Sequence, residues 1–211
     1  MILISFDTAL NKTYVTLSKD GNILTSKIIE NTEDNYHSAF LISTIKDTLK
    51  ENNLTPNDIN LIGIDVGPGS FTGIRASLTV AKVMAQELNI KIVPIESLKI
   101  LSQLNKTNKD TLVATDARRS MTYVYTNNDN CIKLISIDNL KNKIKEKDYF
   151  IITDTSLSQI CEIKNSLIYE NENFDLGKIL NELSLKEINN AINANELKAL
   201  YIQPPPIFVK K

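Results

Sequence analysis

Apolar and polar positions alternate in short runs at the start of the chain, and longer runs with helical spacing follow them. Alternation with a period of two is typical of strands, whereas apolar residues three or four positions apart indicate helices. The first half is therefore predicted to contain strands at 2–7, 13–18, 22–30, 61–66 and 92–95, with helices at 37–51 and 71–88.

The second half repeats this order on a smaller scale. It is predicted to contain strands at 111–116, 121–126, 132–137, 149–153 and 167–169, with helices at 139–147, 156–163 and 174–193. Three strands followed by alternating helices and strands imply a mixed sheet with helices packed against it, so we expect an α/β fold.

An internal repeat supports this symmetry, because residues 6–17 align without gaps on residues 115–126. The identical pairs are Asp7 and Asp116, Thr13 and Thr122, Tyr14 and Tyr123, and Val15 and Val124. We interpret the chain as two duplicated βββαβα subdomains, the second one reduced.

The boundary between the two subdomains is expected in the polar stretch at 102–110. This placement gives an N-terminal subdomain at 1–104 and a smaller C-terminal subdomain at 105–211. The last residues of the second are expected to pack back on the first.

Two such units facing each other form the architecture of the sugar kinase, Hsp70 and actin superfamily. In that fold the turns between the first two strands of each half point into a central cleft and hold nucleotide phosphates. Asp7 and Asp116 are then expected to face each other across a vestigial cleft. The alternative is that each Asp only ends its strand and caps a turn.

Composition and charge exclude several classes of protein. The chain has 211 residues and a formal net charge of -1, and it contains no apolar run near the length of a membrane span. No signal peptide is recognisable at the start, so a cytoplasmic protein without membrane contact is expected. The two cysteines do not make a disulfide framework. Because His37 is the sole histidine, a metal site that needs two histidines from one chain is excluded.

Three of the six glycines lie within seven residues, Gly67, Gly69 and Gly73, and Arg75 follows them. Glycines at the start of a helix allow an anion to approach main-chain amides, so this segment, with Ser70, is a candidate nucleotide or anion contact. Its spacing matches neither the dinucleotide fingerprint nor the P-loop. The alternative is a tight turn in which Ser70 or Thr72 caps the helix.

Both helices of the first half are apolar around more of their circumference than one buried stripe needs. This excess predicts a helix-on-helix interface with a partner protein. The predicted interface residues are His37, Phe40, Leu41, Ile45, Ile74, Leu78, Ala81, Val83 and Ala85. The alternative is that the two helices simply cover each other inside one domain.

Several segments resemble the TsaB (YeaZ) family of bacterial tRNA threonylcarbamoyladenosine biosynthesis proteins. They are the strand ending in FDTA, the helix that begins at His37-Ser38, the segment GPGSFTGIR, the DAR at 116–118 and the late Leu200-Tyr201-Ile202. The resemblance covers most of the chain and is strongest over residues 1–125.

The resemblance implies a non-catalytic paralogue of TsaD that binds TsaD directly as a heterodimer and, when isolated, forms a homodimer. TsaD, with TsaB and the ATPase TsaE, transfers a threonylcarbamoyl group to adenosine 37 of tRNAs that read codons beginning with A. The family contact uses the two helices at 37–51 and 71–88. The resemblance implies no required cofactor, and a nucleotide at the interface is expected to use the GPGSFTGIR segment.

The residues themselves also argue against catalysis. An ATPase of this fold needs a glycine-rich loop in its second half, but after Gly73 the chain has only Gly177. The metal site of the catalytic paralogue uses two histidines, which this chain lacks. The rival hypothesis is an independent ATP-dependent enzyme of the same fold.

Two further features bear on partners. The near-zero net charge predicts no broad basic surface, so tRNA is expected to be reached through the complex rather than by this chain alone. The tail departs from the family's Tyr-Leu-Arg ending, because Tyr201-Ile202-Gln203 precedes Pro204-Pro205-Pro206. Three prolines favour an extended segment there.

Overall fold

The structure is a computed structural model that describes residues 1–30, 37–163 and 165–202, with the main chain alone at residues 37 and 38. The side chain of His37 and the proline tail at 204–206 therefore lie outside the described residues. The elements of the first half are β1 (Ile2–Asp7), β2 (Thr13–Lys19), β3 (Asn22–Ile29), a 3-10 turn (His37–Phe40), α1 (Leu41–Glu51), a 3-10 turn (Pro56–Asp58), β4 (Leu61–Asp65), α2 (Phe71–Leu88), β5 (Lys91–Ile95) and α3 (Ser97–Ser102).

The second half contains the same succession of elements. They are β6 (Thr111–Asp116), β7 (Met121–Thr126), β8 (Ile132–Ser136), α4 (Ile137–Glu146), β9 (Phe150–Thr153), α5 (Thr155–Cys161), β10 (Ser166–Ile168), α6 (Leu176–Lys186) and a 3-10 turn (Ile188–Asn190).

The two five-stranded sheets have the same topology. Their strand orders are β3-β2-β1-β4-β5 and β8-β7-β6-β9-β10. In each sheet the first three strands are antiparallel neighbours, and the last two extend the sheet in parallel. The predicted duplicated βββαβα fold of the sugar kinase, Hsp70 and actin superfamily is confirmed. The second copy is reduced, because α5 has 7 residues where α2 has 18.

The strand pairing shows that the repeat in the sequence does not correspond residue by residue to equivalent positions in the two hairpins. In the first half Asp7 lies opposite Tyr14. In the second half Asp116 lies opposite Thr122, and Tyr123 lies opposite Thr115. The second hairpin is therefore shorter by one residue, and the ungapped alignment cannot hold for the Asp pair and the Tyr pair together. A slip of one residue exchanges the two faces of a strand.

Three apolar clusters make up the core. One lies between the first sheet and helices α1 and α2, and another lies between the second sheet and α4 and α5. The third cluster contains residues of both halves, among them Leu3, Tyr14, Tyr125 and Leu180. The two halves are therefore joined by a shared apolar core.

The last helix of each half packs on the sheet of the other half. Helix α3 contacts β6 and β7, and α6 contacts β1, β2 and β4. The chain then returns to the first sheet, where Ile192 bridges Ile92 and the Leu200 amide donates to the Val66 carbonyl at 2.8 Å. Helix α3 was not predicted, and α6 ends earlier than the predicted residue 193.

Local signals in the sequence set several element boundaries. Asp20 and Gly21 have φ of 51° and 83°, the left-handed pair that a two-residue hairpin turn requires. Ser70 caps α2, because its Oγ accepts from the Gly73 amide at 3.2 Å. The same helix stops at Asn89, whose φ of 52° lies in the left-handed region that Asn tolerates. None of the helices in the described part of the chain is long and apolar enough to cross a bilayer.

Candidate functional site: the outer face of helix α2

Helix α2 has two apolar faces. Its inner face packs in the core with Ile74, Leu78, Ala81 and Ala85, which are all buried. Its outer face runs along the helix at positions three and four residues apart and consists of Phe71, Thr72, Arg75, Ala76, Thr79, Val80 and Val83. Phe71 and Val83 are 44% and 56% exposed. A face of aromatic, aliphatic and small residues in water is typical of a surface that a partner covers.

This outer face borders a groove against the start of α1. The groove has a volume of about 500 Å³. Ala39, Leu41 and Ile42 line one side of it, and residues 71–80 of α2 line the other. Ile42 is 68% exposed, whereas the outer face of α1 beyond it is polar, with Lys46, Asp47 and Lys50. The exposed apolar surface is therefore centred on α2 and the amino-terminal end of α1.

Most of the predicted interface residues turn inward. Six are buried in the subunit's own core, namely Leu41, Ile45, Ile74, Leu78, Ala81 and Ala85. Phe40 and Val83 are exposed, and the side chain of His37 lies outside the described residues. Because the six buried side chains hold the two helices on the sheet, we correct the candidate surface to the exposed residues. The corrected surface also includes Ile42, Phe71 and Tyr201, which were not among the predicted interface residues.

An aromatic stack closes the amino-terminal end of this surface. The rings of Phe71 and Tyr201 lie 5.5 Å apart, and the Arg75 guanidinium lies 5.3 Å from the centre of the Phe71 ring. A cation over an aromatic face is held by the negative potential of the ring. No ion pair involves Arg75 among the described residues, so its charge remains available to a ligand or a partner.

The glycines before α2 are used inside the chain. A Cβ at Gly73 would lie 1.7 Å from the Thr8 carbonyl oxygen, and a Cβ at Gly69 would lie 2.4 Å from that of Ala9. Gly67 has φ of 98° and contacts the side chain of Ile74. These glycines therefore let the turn at 67–73 pack directly on the turn that follows β1.

Main-chain amides in the glycine segment also have internal partners. The Ser70 amide donates to the Ala9 carbonyl at 2.8 Å, and the Gly67 amide donates to Asp65 Oδ1 at 2.7 Å. The Gly73 amide donates to Ser70 Oγ, which is the capping turn considered as the alternative. A phosphate at these three amides would compete with these bonds, whereas the Arg75 guanidinium has no ion pair among the described residues.

The two aspartates assigned to the cleft have different neighbours. Asp7 is buried and lies beside Asp65, which ends the adjacent strand β4. Asp116 is partly exposed, accepts from the Arg118 amide at 2.8 Å, and lies beside Ser156 at 3.2 Å. Both aspartates cap the turn after their strand, because the Ala9 amide likewise donates to Asp7 at 2.5 Å. Each therefore has its described hydrogen bonds within its own half.

Burial changes the protonation of Asp7 and Asp65. Burial raises the pKa of Asp7 well above its usual range, and the neighbouring charge of Asp65 raises it further. Burial also raises the pKa of Asp65 to about 7, against the opposing effect of hydrogen bonds from Ser97 and Gly67. No cluster of three or more His, Cys, Asp or Glu side chains suited to a metal ion occurs in the part of the chain that the structure describes.

Comparison with known proteins identifies relatives of this architecture. The family model described as TsaD, tRNA N6-adenosine threonylcarbamoyltransferase, matches residues 24–146, more than half of the chain. The tRNA threonylcarbamoyladenosine biosynthesis protein TsaB of Buchnera aphidicola subsp. Schizaphis graminum is 29% identical over 185 residues, which cover 80% of this chain and 85% of that protein. The protein of the same name from Bacillus subtilis is 28% identical over 170 residues, 74% of this chain and 73% of that one.

A solved structure agrees with the fold. YeaZ from Pseudomonas aeruginosa aligns with a TM-score of 0.75 at 18% identity, covering 95% of this chain and 100% of that chain. The sequence matches therefore agree with the duplicated sheets and with the glycine segment described above. The chain belongs to the TsaD family, as a member of its TsaB (YeaZ) group.

Proposed function

We propose that this chain is an accessory subunit in the synthesis of threonylcarbamoyladenosine in tRNA, and that it acts by binding TsaD. In this account TsaD, with the ATPase TsaE, transfers the threonylcarbamoyl group to adenosine 37 of tRNAs that read codons beginning with A. The names of the relatives support the pathway. The observation that carries the mode of action is the exposed apolar face of α2 beside the groove.

The chemistry of that face suits a protein partner of the same fold. Phe71, Ile42 and Val83 offer apolar side chains, and Ala76 and Thr79 between them are small enough for a second helix to approach closely. Burying such a surface gains about 25 cal/mol for each Å² of apolar area removed from water. The same face would serve a homodimer when TsaD is absent. TsaE and tRNA would then join through the complex.

The cleft supports a role without catalysis. Asp7 and Asp65 are enclosed by protein, and both accept hydrogen bonds from neighbouring turns of the chain. Gly177, the sole glycine after Gly73 in the sequence, lies in α6 against Tyr14 and Thr16, where a close helix–sheet contact needs it. This position gives it no part in a loop that receives adenosine. A nucleotide at the partner interface would instead contact Arg75.

The decisive variant is Val83→Arg. It places a charge on the exposed apolar face of α2, where the partner would have to bury it without a counter-charge, which typically costs several kcal/mol. We expect the folded variant to lose binding to purified TsaD in isothermal titration calorimetry. Ile160→Arg is the matched control, because Ile160 is 50% exposed on α5, away from this face.

Full binding by Val83→Arg would contradict the proposed interface. The rival hypothesis, an independent ATP-dependent enzyme of the same fold, predicts tight Mg-ATP binding or turnover by the isolated chain. The proposal predicts neither in the same calorimeter.

A further inference from the structure

Two buried carboxyl groups meet beneath the start of α2. Asp7 ends β1 and Asp65 ends β4, and these strands are parallel neighbours in which Phe6 lies opposite Ile64. The two residues are 2% and 0% exposed. Burial of two ionised carboxylates side by side without a cation is strongly unfavourable, so one of the pair must be neutral or both must be exceptionally well solvated by donors.

The hydrogen-bond donors around the pair are unequally shared. Asp65 accepts from the Gly67 amide at 2.7 Å, and Ser97 Oγ lies 2.7 and 2.8 Å from its two oxygens. Asp7 Oδ1 accepts from the Ala9 amide at 2.5 Å. Asp7 Oδ2 is fully buried and has no N–H or hydroxyl donor. Asp65 ends the neighbouring strand beside Asp7, and a hydrogen bond between two carboxyl groups, which only accept when both are ionised, requires a proton.

The other titratable groups that face the pair bring no positive charge. Tyr14 lies opposite Asp7 on β2, and Tyr169 after β10 and Glu96 before α3 are the other acidic groups whose charges act on the pair. The pKa of each of these groups is raised, first by burial. Among the described residues, no Lys, Arg or His pairs with either carboxyl group.

We propose that Asp7 carries a proton on Oδ2 at neutral pH and donates it to the Asp65 carboxylate. This carboxylic acid–carboxylate bond fastens the turn at 7–10 to the turn at 67–70, from which α2 begins. Two further bonds complete the junction, from the Ser70 amide to the Ala9 carbonyl and from Thr8 Oγ1 to the Gly73 carbonyl at 2.6 Å. Asp7 is thus a positioning residue for α2. The inference is independent of which partner α2 binds.

Removal of the shared proton leaves two negative charges buried side by side, and their repulsion weakens the junction between the two turns. A raised pKa in an acid means that the folded chain holds protons that the unfolded chain has released. The stability from Asp65 is fully present below about pH 4 and is lost as the pH rises through about 7. Because the pKa of Asp7 is also raised well above its usual range, its share of the stability is likewise lost as the pH rises.

Infrared spectroscopy of the full chain at about pH 7.5 tests the proton directly, since a protonated carboxyl group and a carboxylate absorb at separate frequencies. We expect a protonated-carboxyl band that disappears in Asp7→Asn. Asp116→Asn is the matched control, because Asp116 caps the equivalent turn of the second half with partial exposure, and it should keep the band. Absence of the band in the unsubstituted chain, or its persistence in Asp7→Asn, would overturn the proposal.

Unfolding by urea gives a second readout. Asp7→Asn retains an acceptor for the Ala9 amide and a donor for Asp65, so it should fold. It should lack the part of the pH dependence of stability that comes from the Asp7 carboxyl group. Between about pH 5 and 7 the unfolding constant of the unsubstituted chain should rise by up to about tenfold per pH unit relative to Asp7→Asn. Asp7→Ala, which lacks both groups, should unfold about tenfold more readily than Asp7→Asn at neutral pH. Equal pH slopes for the unsubstituted chain and Asp7→Asn would contradict the shared proton.

Discussion

At the scale of single residues, the glycines of the α2 segment show how one signal in a sequence can have two physical explanations. Clustered glycines allow a ligand to approach the main chain, and they also allow one turn to approach another. Here the second explanation accounts for Gly69 and Gly73, which lie against the carbonyl groups of Ala9 and Thr8. The sequence could not decide between the two, because the approaching turn lies about sixty residues earlier in the chain.

Replacement of Gly73 by Ala tests this reading. The new Cβ would lie 1.7 Å from a main-chain oxygen, so backbone must move, and we expect a loss of about 3 kcal/mol in the free energy of unfolding. Gly21→Ala is the control. That position has open space around it and only a left-handed φ, so it should lose about 1 kcal/mol. Urea unfolding monitored by circular dichroism measures both, and equal losses would contradict the contact.

The pairing of Asp7 with Asp65 was not predicted from the sequence. Asp7 and Asp65 are far apart in the chain, and only the parallel pairing of β1 with β4 brings them together. The repeat instead directed attention to Asp7 with Asp116. A usable signal was present, since two strands that become sheet neighbours both end in Asp.

At the scale of elements, pattern alone predicted nearly every strand and helix, because alternation and helical spacing report burial directly. Helix α3 was missed, since six residues give too little periodicity to recognise. The prediction for α6 ran too far because apolar residues after Lys186 pack on the first sheet as irregular chain, as Ile192 does against Ile92.

Which face of α2 is buried could not be predicted from its composition, because both faces are apolar. Ala81 and Val83 therefore looked equivalent as interface residues. The structure separates them, with Ala81 at 0% exposure in the core and Val83 at 56% exposure on the surface. Only Val83 can contact a partner without unfolding the subunit.

This difference predicts opposite results for the same substitution. Ala81→Arg buries an unpaired charge, which costs several kcal/mol, a large part of the total stability of a typical domain. We expect it to be unfolded or aggregated. Val83→Arg should change the free energy of unfolding by about 0.5 kcal/mol or less. Thermal unfolding followed by circular dichroism distinguishes them, and a folded Ala81→Arg would contradict the assignment of the faces.

At the scale of the whole molecule, the two halves share the core that lies between their sheets. Helix α6 belongs to the second half of the sequence, but it packs on the first sheet, where it contacts β1, β2 and β4 among other strands. Asn181 on α6 also donates to Ser5 Oγ at 3.0 Å. The proposed subdomains at 1–104 and 105–211 are therefore expected to unfold together rather than one after the other.

Leu180→Ala tests this cooperativity. Leu180 is fully buried between the sheets, and its truncation should lower the free energy of unfolding by about 2–5 kcal/mol. Hydrogen exchange should show that β1 and β6 lose protection equally, although the substitution lies in the second half. Ile160→Ala, at an exposed site, should change neither. Loss of protection confined to the second half would contradict a single cooperative unit.

The central claim is the proposal that this member of the TsaD family assists TsaD through the outer face of α2. Reconstitution tests it most directly, by measuring threonylcarbamoyladenosine formed on tRNA by purified TsaD and TsaE with the threonylcarbamoyl adenylate supplied. We expect product when the unsubstituted chain or Ile160→Arg is added, and little product when the chain is omitted or replaced by folded Val83→Arg. Equal product in all four reactions would contradict the account.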